Sequence, residues 1–404
     1  MSLLEKSSSL EVSSQTATFP AKRNTYALGQ KVQIECQVDR EFMDFDNHML
    51  RLSTVFGAST DALTNPWFAS QCVRNLRVKT LGGQQIGNEI VEYRAWAQMV
   101  NELSSNSDFN DSYGTGIEGA NPIALADGGS TITFGHKFMT HIFAVAEYYP
   151  AHFHQGLMIE FDLPTTIAEL CYEATSSGDA LPATLSFENI EFLVDLKQLK
   201  PEIENEMVQL MSQQKFFVDY QEVLVQDNTI TESSGTQNFD IVGIDGRVHS
   251  VQSFMVKDTD RDGDDESHFS KMSNNGLTQY RYKLGSNYIN YESIEVGATN
   301  QAEQLYELLK SLDLYTQDRK MTRCGDSALT PALLWTDRFA VGVKVAKAQK
   351  DLTQTISSSI DKDRNNLRVE LSMTSAAKAS CYTCITLDKR LQILPGSVVR
   401  TVRS

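Results

Sequence analysis

Three carboxylates at alternate positions, Asp258, Asp260 and Asp262, lead into Gly263. That is the opening of a calcium loop, in which close oxygens and a glycine turn surround a hard cation. The twelfth position, which needs a bidentate glutamate, holds Phe269, and Glu266 falls at the ninth. A solvated acidic loop explains the same residues, so the three aspartates are candidate metal ligands only, and no cofactor is expected. Cys381 and Cys384 have the spacing of redox and zinc motifs. No second pair with ligand spacing accompanies them, and on a strand residues three apart point to opposite faces. Buried structural thiols are the expectation. His136, His141, His152 and His154 crowd one stretch, and 152 and 154 would share a strand face. No Cys or carboxylate at a familiar spacing completes a ligand set, and ordinary polar residues near a loop account for the four.

Catalytic motifs are missing as well. The chain has no Gly-x-Ser-x-Gly elbow, no phosphate-cradling glycine loop ending in Lys-Ser or Lys-Thr, and no His-Glu-x-x-His helix. Glu160 and Asp162 could serve glycoside hydrolysis as a carboxylate pair, but acidic residues alternating with apolar ones describe the wet face of a strand. Trp67, Trp96 and Trp335, with Tyr280, Tyr282, Tyr288 and Tyr291, could build a sugar-binding platform. Core and subunit packing is the simpler reading of these aromatics. No catalytic residue is expected, and the chain reads as a non-enzyme.

The elements that carry these residues are mostly strands. A chain of 404 residues, 41% of them hydrophobic, supplies two cores, because one core seldom grows past a few hundred residues. A net charge of -16 argues against a protein whose main work is gripping nucleic acid phosphates, so no sequence-specific nucleic-acid binding is expected. Without a bilayer-length apolar run or a basic-then-apolar amino-terminal signal, the chain reads as soluble and not exported. Six cysteines spread over this length suit free thiols in a reducing compartment, hence synthesis inside a cell.

Residues 1–23, rich in Ser and Thr, read as a mobile arm. After it Val32, Ile34, Cys36 and Val38 alternate with polar residues, and the same period recurs at 157–163, 190–196, 280–284, 341–345 and 367–373. Helical faces are few: Ile90, Tyr93, Ala97 and Val100; then Ile203, Met207, Leu210 and Met211; then Leu305, Leu308, Leu309 and Leu312. The two halves repeat. Segment 76–83 enters a Gly turn before the helix from Ile90, as segment 280–285 does before the helix from Gln301. Segment 156–163 (Gly-Leu-Met-Ile-Glu-Phe-Asp-Leu) is answered by 366–373 (Asn-Leu-Arg-Val-Glu-Leu-Ser-Met), and final strand regions follow at 185–199 and 380–394. The offset is about 200 residues each time, one β-sandwich. Pro201 opens a linking helix, which places the first sandwich at 24–205 and the second at 206–404.

These segments, in this order, resemble the double jelly-roll major capsid proteins of tailless phages, virophages, polinton-like viruses and adintoviruses. Segment 42–52 is similar to that family's early strand, 70–93 to its strand, Gly-Gly turn and helix with Tyr, and 138–160 to its Tyr-x-Pro turn before Gly-Leu-x-Ile-Glu. In the second half 250–258, 279–291, the helix through Tyr306 and 367–402 fit the same template. The long polar stretch 104–130 and the acidic loop near Asp258 depart from it, as insertions in surface loops do. The fold class implied is all-β: two tandem jelly-roll β-sandwiches with a few short helices. The resemblance further implies a homotrimer acting as a pseudo-hexameric capsomer in an icosahedral virion shell. Its partners would be neighbouring capsomers, penton and minor capsid proteins or an internal membrane, the presence of which the resemblance leaves open, with assembly inside the host cell. Two rivals stay open at this point: a carbohydrate-binding or spike-like β-sandwich, and a β-sandwich glycoside hydrolase.

Overall fold

A computed structural model describes residues 11–104, 118–144, 148–174, 180–231, 233–261, 270–284, 287–289, 293–297, 301–312, 338–345, 367–394 and 398–403. The first half contains β1 (Glu11–Pro20), β2 (Thr25–Ala27), β3 (Lys31–Gln37), β4 (Phe42–Phe56), β5 (Ala62–Thr64), β6 (Asn75–Thr80), β7 (Ser130–His136), β8 (Gly156–Asp162), β9 (Cys171–Glu173) and β10 (Leu185–Leu199). One sheet runs β1-β10-β4-β7 with β2 also on β10, another runs β3-β8-β6, and β5 pairs with β9. The second half contains β11 (Phe217–Ile230), β12 (Ser233–Ile241), β13 (Arg247–Lys257), β14 (Leu277–Leu284), β15 (Asn287–Tyr288), β16 (Ile294–Glu295), β17 (Ala340–Lys344), β18 (Leu367–Ala376), β19 (Ala379–Leu394) and β20 (Val398–Arg403). Its sheets run β11-β19-β13-β17 with β20 on β19, and β12-β18-β14-β15 with β16 on β14.

The internal repeat is visible in these orders. β10-β4-β7 corresponds to β19-β13-β17, and β3-β8-β6 to β12-β18-β14. The matched segments 156–163 and 366–373 are β8 and β18, each lying between the two partners of its sheet, with Asn366 itself outside the described residues. Among the described residues four α-helices accompany the strands: α1 (Phe68–Gln71), α2 (Tyr93–Ser104), α3 (Pro201–Ser212) and α4 (Ala302–Ser311). Ile90, expected on the helix that became α2, instead exchanges two 2.9 Å backbone hydrogen bonds with Leu76, and Glu92 (φ 51°) turns the chain into the helix. Pro201 occupies the first turn of α3, where its missing N–H costs nothing, and Glu202 and Glu204 complement the positive end of the helix. No helix among the described residues is long and apolar enough to cross a membrane.

Alternation sets each buried face, and irregularities re-phase it. In β3, Val32, Ile34 and Cys36 are buried while Lys31, Glu35 and Gln37 face water. In β10, Leu185 and Phe187 point inward, and Ile190, Phe192, Val194 and Leu196 follow with the opposite parity. Asn189, at φ 48°, is the extra residue in a register shift against β4 that keeps both sets in the core. Gly156 opens β8 at φ 116°, and a Cβ there would lie 2.1 Å from the Cys36 carbonyl oxygen across the β3–β8 pair. Both the left-handed conformation and the close approach require glycine. Gly156→Ala is expected to cost about 3 kcal/mol of stability through strain and lost pairing. Urea unfolding checks this, and an unchanged midpoint would mean that β3 and β8 are not so tightly opposed.

Residues 11–20, expected within a mobile arm, form β1 instead. They pair along β10 from Glu11 opposite Leu199 to Pro20 opposite Glu191. Ser13 donates to Gln198 and Thr16 to Asp195. The Ser/Thr run that reads as unstructured is an edge strand: its backbone groups are paired, its hydroxyls face water, and Ala17 and Phe19 touch the core. Residues 1–10 lie outside the described residues.

Two buried apolar clusters result among the described residues. One is the interior of the second sandwich, built from residues such as Val248, Val251, Tyr282, Val369 and Ile385. The other fills the first sandwich and continues without a break across the junction, taking in Met207 of α3, Val218 and Val223 of β11, and Cys384, Leu391 and Ile393 of β19. β11 and β19 are buried on both faces and contribute residues to both clusters. The first half is seated on the second by core-like packing.

Candidate functional site

The residues singled out for chemistry do not converge. Asp258 and Asp260 lie in a 3-10 turn (Asp258–Arg261) after β13; Asp258 pairs with Lys378 at 2.8 Å, and Asp262 lies outside the described residues. Among the described residues no group of three His, Cys, Asp or Glu is placed to hold a metal ion. Cys381 and Cys384 are both on β19 and fully buried, but Cys381 belongs to the core of the second sandwich and Cys384 to the junction cluster. Burial pushes the Cys381 thiol up to about 12 and raises that of Cys384 as well, so neither is a thiolate nucleophile.

The four histidines take separate environments. Residues 151–154 form a 3-10 turn, so His152 and His154 do not share a strand face. His136 Nε2 is 2.9 Å from the Tyr93 hydroxyl, and His154 lies between the Tyr149 hydroxyl (3.0 Å) and the Gly156 carbonyl (2.8 Å). His152 stacks edge-on against Phe42, 3.8 Å from Glu204 of α3. A fifth histidine, His48, accepts the Phe138 N–H at 3.0 Å and bonds the Phe45 carbonyl. Burial drives His136 to about 3 and His48, His152 and His154 to about 4, keeping all of them neutral near pH 7.

Glu160 is not on a wet face: it is buried, with Lys79 at 2.6 Å and Gln33 at 2.5 Å. Asp162, two residues on, is held by Arg77 and Asn75, each at 2.9 Å. Burial opposes ionisation of both carboxyls, but these donors win and hold them below the usual carboxylate range. A strand in the middle of its sheet has cations from β6 on one side and Gln33 from β3 on the other, which is why these acids are locked and not catalytic in geometry. The aromatics build no platform either. Trp67, Trp96, Tyr280 and Tyr282 are buried, Trp335 and Tyr291 lie outside the described residues, and Tyr288 is exposed beneath Arg281 at 4.5 Å.

One buried polar group was not singled out in the sequence. At the junction, Lys389 of β19 and Glu222 of β11 form a 2.9 Å ion pair with both side chains only 2% exposed. Glu222 also accepts the Asn88 N–H at 2.8 Å, and the His141 ring lies 4.0 Å away. His141 N donates to the Gln221 carbonyl at 2.7 Å, and Thr140 Oγ1 donates to the same oxygen at 3.2 Å. A Cβ on Gly87 would come within 2.3 Å of the Glu222 carboxylate, so glycine is what lets the 84–88 loop sit this close. Gln84 accepts the Val399 N–H at 3.0 Å, and Glu102 of α2 pairs with Arg338 at 2.9 Å. Two loops and a helix of the first sandwich are thus fastened to strands of the second. A signal was available: Glu222 is in phase with buried Val218 and Tyr220, and Lys389 with Leu387, Leu391 and Ile393. Charges at core positions of adjacent strands mark a buried pair.

This architecture, two like sandwiches fused through a common core with its chemistry spent on internal fastening, is that of the double jelly roll. The sequence matches no protein-family model and no curated protein. Solved structures do match. The PBCV-1 virus capsid chain superposes with a TM-score of 0.63 at 10% identity, covering 97% of each chain. The Faustovirus major capsid protein gives 0.61 at 9% identity over 97% of this chain and 93% of that one. The mavirus major capsid protein gives 0.53 at 10% identity over 100% and 92%. At these identities the likeness defines the fold, a double jelly roll with short helices, over essentially the whole chain.

Proposed function

We propose that this chain is a major capsid protein, the structural subunit of an icosahedral virion shell, and not an enzyme. The observation that carries the reading is the end-to-end match: this chain and the PBCV-1 capsid chain are each covered to 97%, both sandwiches included, with little outside the shared fold. The described site candidates agree with it, since the carboxylates, thiols and histidines are occupied in internal contacts. Three copies would associate into a pseudo-hexameric capsomer of six sandwiches, with the division between units near residue 205. The subunit's partners are then its own copies, neighbouring capsomers, and penton and minor capsid proteins, and its place is the virion after assembly in a host cell. Association of this kind draws on burial of apolar strand and loop surface between copies.

Light scattering on the purified chain, followed by negative-stain imaging of the same fraction, tests the reading. The expected mass is three times 45.2 kDa with a hexagonal outline. A stable monomer with no tendency to associate would reject it in favour of a glycan-binding or hydrolytic sandwich.

A further inference from the structure

The strand order β1-β10-β4-β7 in the first sandwich answers β11-β19-β13-β17 in the second, so β1 stands to β10 as β11 stands to β19. The outer face of β11, β19 and β13, with Val223, Cys384 and Phe254, is buried in the cluster that the first sandwich shares. Trp96 and Val100 of α2 and Met139, just after β7, face it across the joint, and Gln221 of β11 accepts the His141 N–H at 2.7 Å. Among the described residues the counterpart face of the first sandwich stays open. It is a depression of about 460 Å³ lined by Thr16 of β1, Asp46 and Met49 of β4, Lys137 and Leu193 of β10. β1 ends its sheet, with no strand on its outer edge. Ala21 N–H donates to the Ile190 carbonyl at 2.8 Å, and antiparallel alternation from there turns the backbone groups of Ser14, Thr16 and Thr18 outward. Pro20 shares their parity, so its missing N–H costs the pairing nothing. On the outward side of β10, Leu193 opposite Met49 is flanked by Glu191, Asp195 and Lys197. A polar face with a small apolar centre suits a surface that is wet before association and covered after it.

We propose that this open face, centred on Leu193 and Met49 and edged by β1, receives the second sandwich of another copy of the chain, as β11 receives the first sandwich within one chain. The covering elements are α4 and the connection from β14 to α4, the counterparts of α2 and of the 84–88 loop. They carry Tyr306 and Tyr288, which are 42% and 40% exposed. A contact of this kind joins two unlike surfaces, so it repeats head to tail and closes into a ring where the rotation allows. The inference rests on the association proposed above and adds which surfaces of the chain make it.

Leu193→Glu puts a charge at the centre of the open face, and Tyr306→Glu puts one on the covering helix. By light scattering on the full chain at equal concentration, each should shift the mass from that of the trimer to that of a single copy. Leu193 is half-buried, so circular dichroism checks that its variant is folded. Hydrogen exchange supplies a measure that needs no change in the first sandwich. The outward amides of Ser14, Thr16 and Thr18 should exchange roughly tenfold more slowly in the wild-type trimer than in the single-copy Tyr306→Glu protein. A trimer that survives both substitutions, or β1 amides that exchange equally in the two states, overturns the inference and leaves the proposed function standing. A wild type that stays a single copy overturns both.

Discussion

Lys389→Met lowers the unfolding free energy by about 3–5 kcal/mol, because it leaves the Glu222 carboxylate uncompensated in a buried joint. The pair is 2.9 Å apart with each side chain 2% exposed, and the donor left to Glu222 at hydrogen-bond distance would be the Asn88 N–H. Arg390→Met, one residue along the same strand, is the natural comparison. Its partner Asp219 is closer still at 2.6 Å, but those side chains are 42% and 67% exposed. Water screens that pair, and the loss there is roughly 0–1 kcal/mol. Replacing both charges, Lys389→Met with Glu222→Leu, recovers much of the single-mutant loss because no buried charge remains. What persists is the unpaired Asn88 N–H, worth about 1–3 kcal/mol. Urea unfolding of the wild type, both singles and the double completes the cycle. A Lys389→Met loss below about 1 kcal/mol would mean that water reaches the joint, and the fastening role would fall.

Acid should destabilise the first sandwich well before its paired carboxylates Glu160 and Asp162 titrate. Burial lowers His136 to about 3 and His48, His152 and His154 to about 4, and it lowers His141 too. Their ordinary value is 6.5. The unfolded chain therefore binds more protons than the folded chain once the pH drops below 6.5, and stability falls with pH from there to about 4. Above 6.5 this contribution is fully present. Each such histidine removes up to about 1.4 kcal/mol per pH unit within the window. Glu118 works in the opposite direction, since burial raises its carboxyl to about 7, and it offsets part of the loss. Melting temperatures between pH 7.5 and 4.5 measure the net effect. His136→Gln, which keeps a partner for the Tyr93 hydroxyl, should flatten the decline by one proton. A melting temperature independent of pH across the window would show that these histidines are reached by solvent. All five lie in the first sandwich, so the acid-weakened unit is the one seated on β11 through His141.

Much of the architecture was legible because it depends on period and order. The parity of Val32, Ile34 and Cys36 marks a strand in any environment, and the match of 156–163 with 366–373 predicts two copies of one topology. The divergence of Cys381 and Cys384 also follows from strand geometry alone, and the structure adds that they end in different cores. The Ser/Thr run that became β1 was not legible, because an edge strand is stabilised by backbone pairing with β10, which leaves little trace in side-chain hydrophobicity. Ile90 reads as helical for a related reason: its periodicity fits, but the bridge to Leu76 prevails over it.

Locally encoded properties, which are the alternation, the turns and the repeat, were determined by the sequence by itself, and with them two β-sandwiches without a catalytic motif. What faces the other half was decided by tertiary structure. Glu160 reads as solvated and is buried because β6 brings Lys79 against it. Glu222 and Lys389 lie 167 residues apart and become one ion pair only when β11 and β19 align and the loop at Gly87 closes over them. Such energies depend on desolvation and on the position of a few distant atoms, and neither is written in the spacing of residues along a chain.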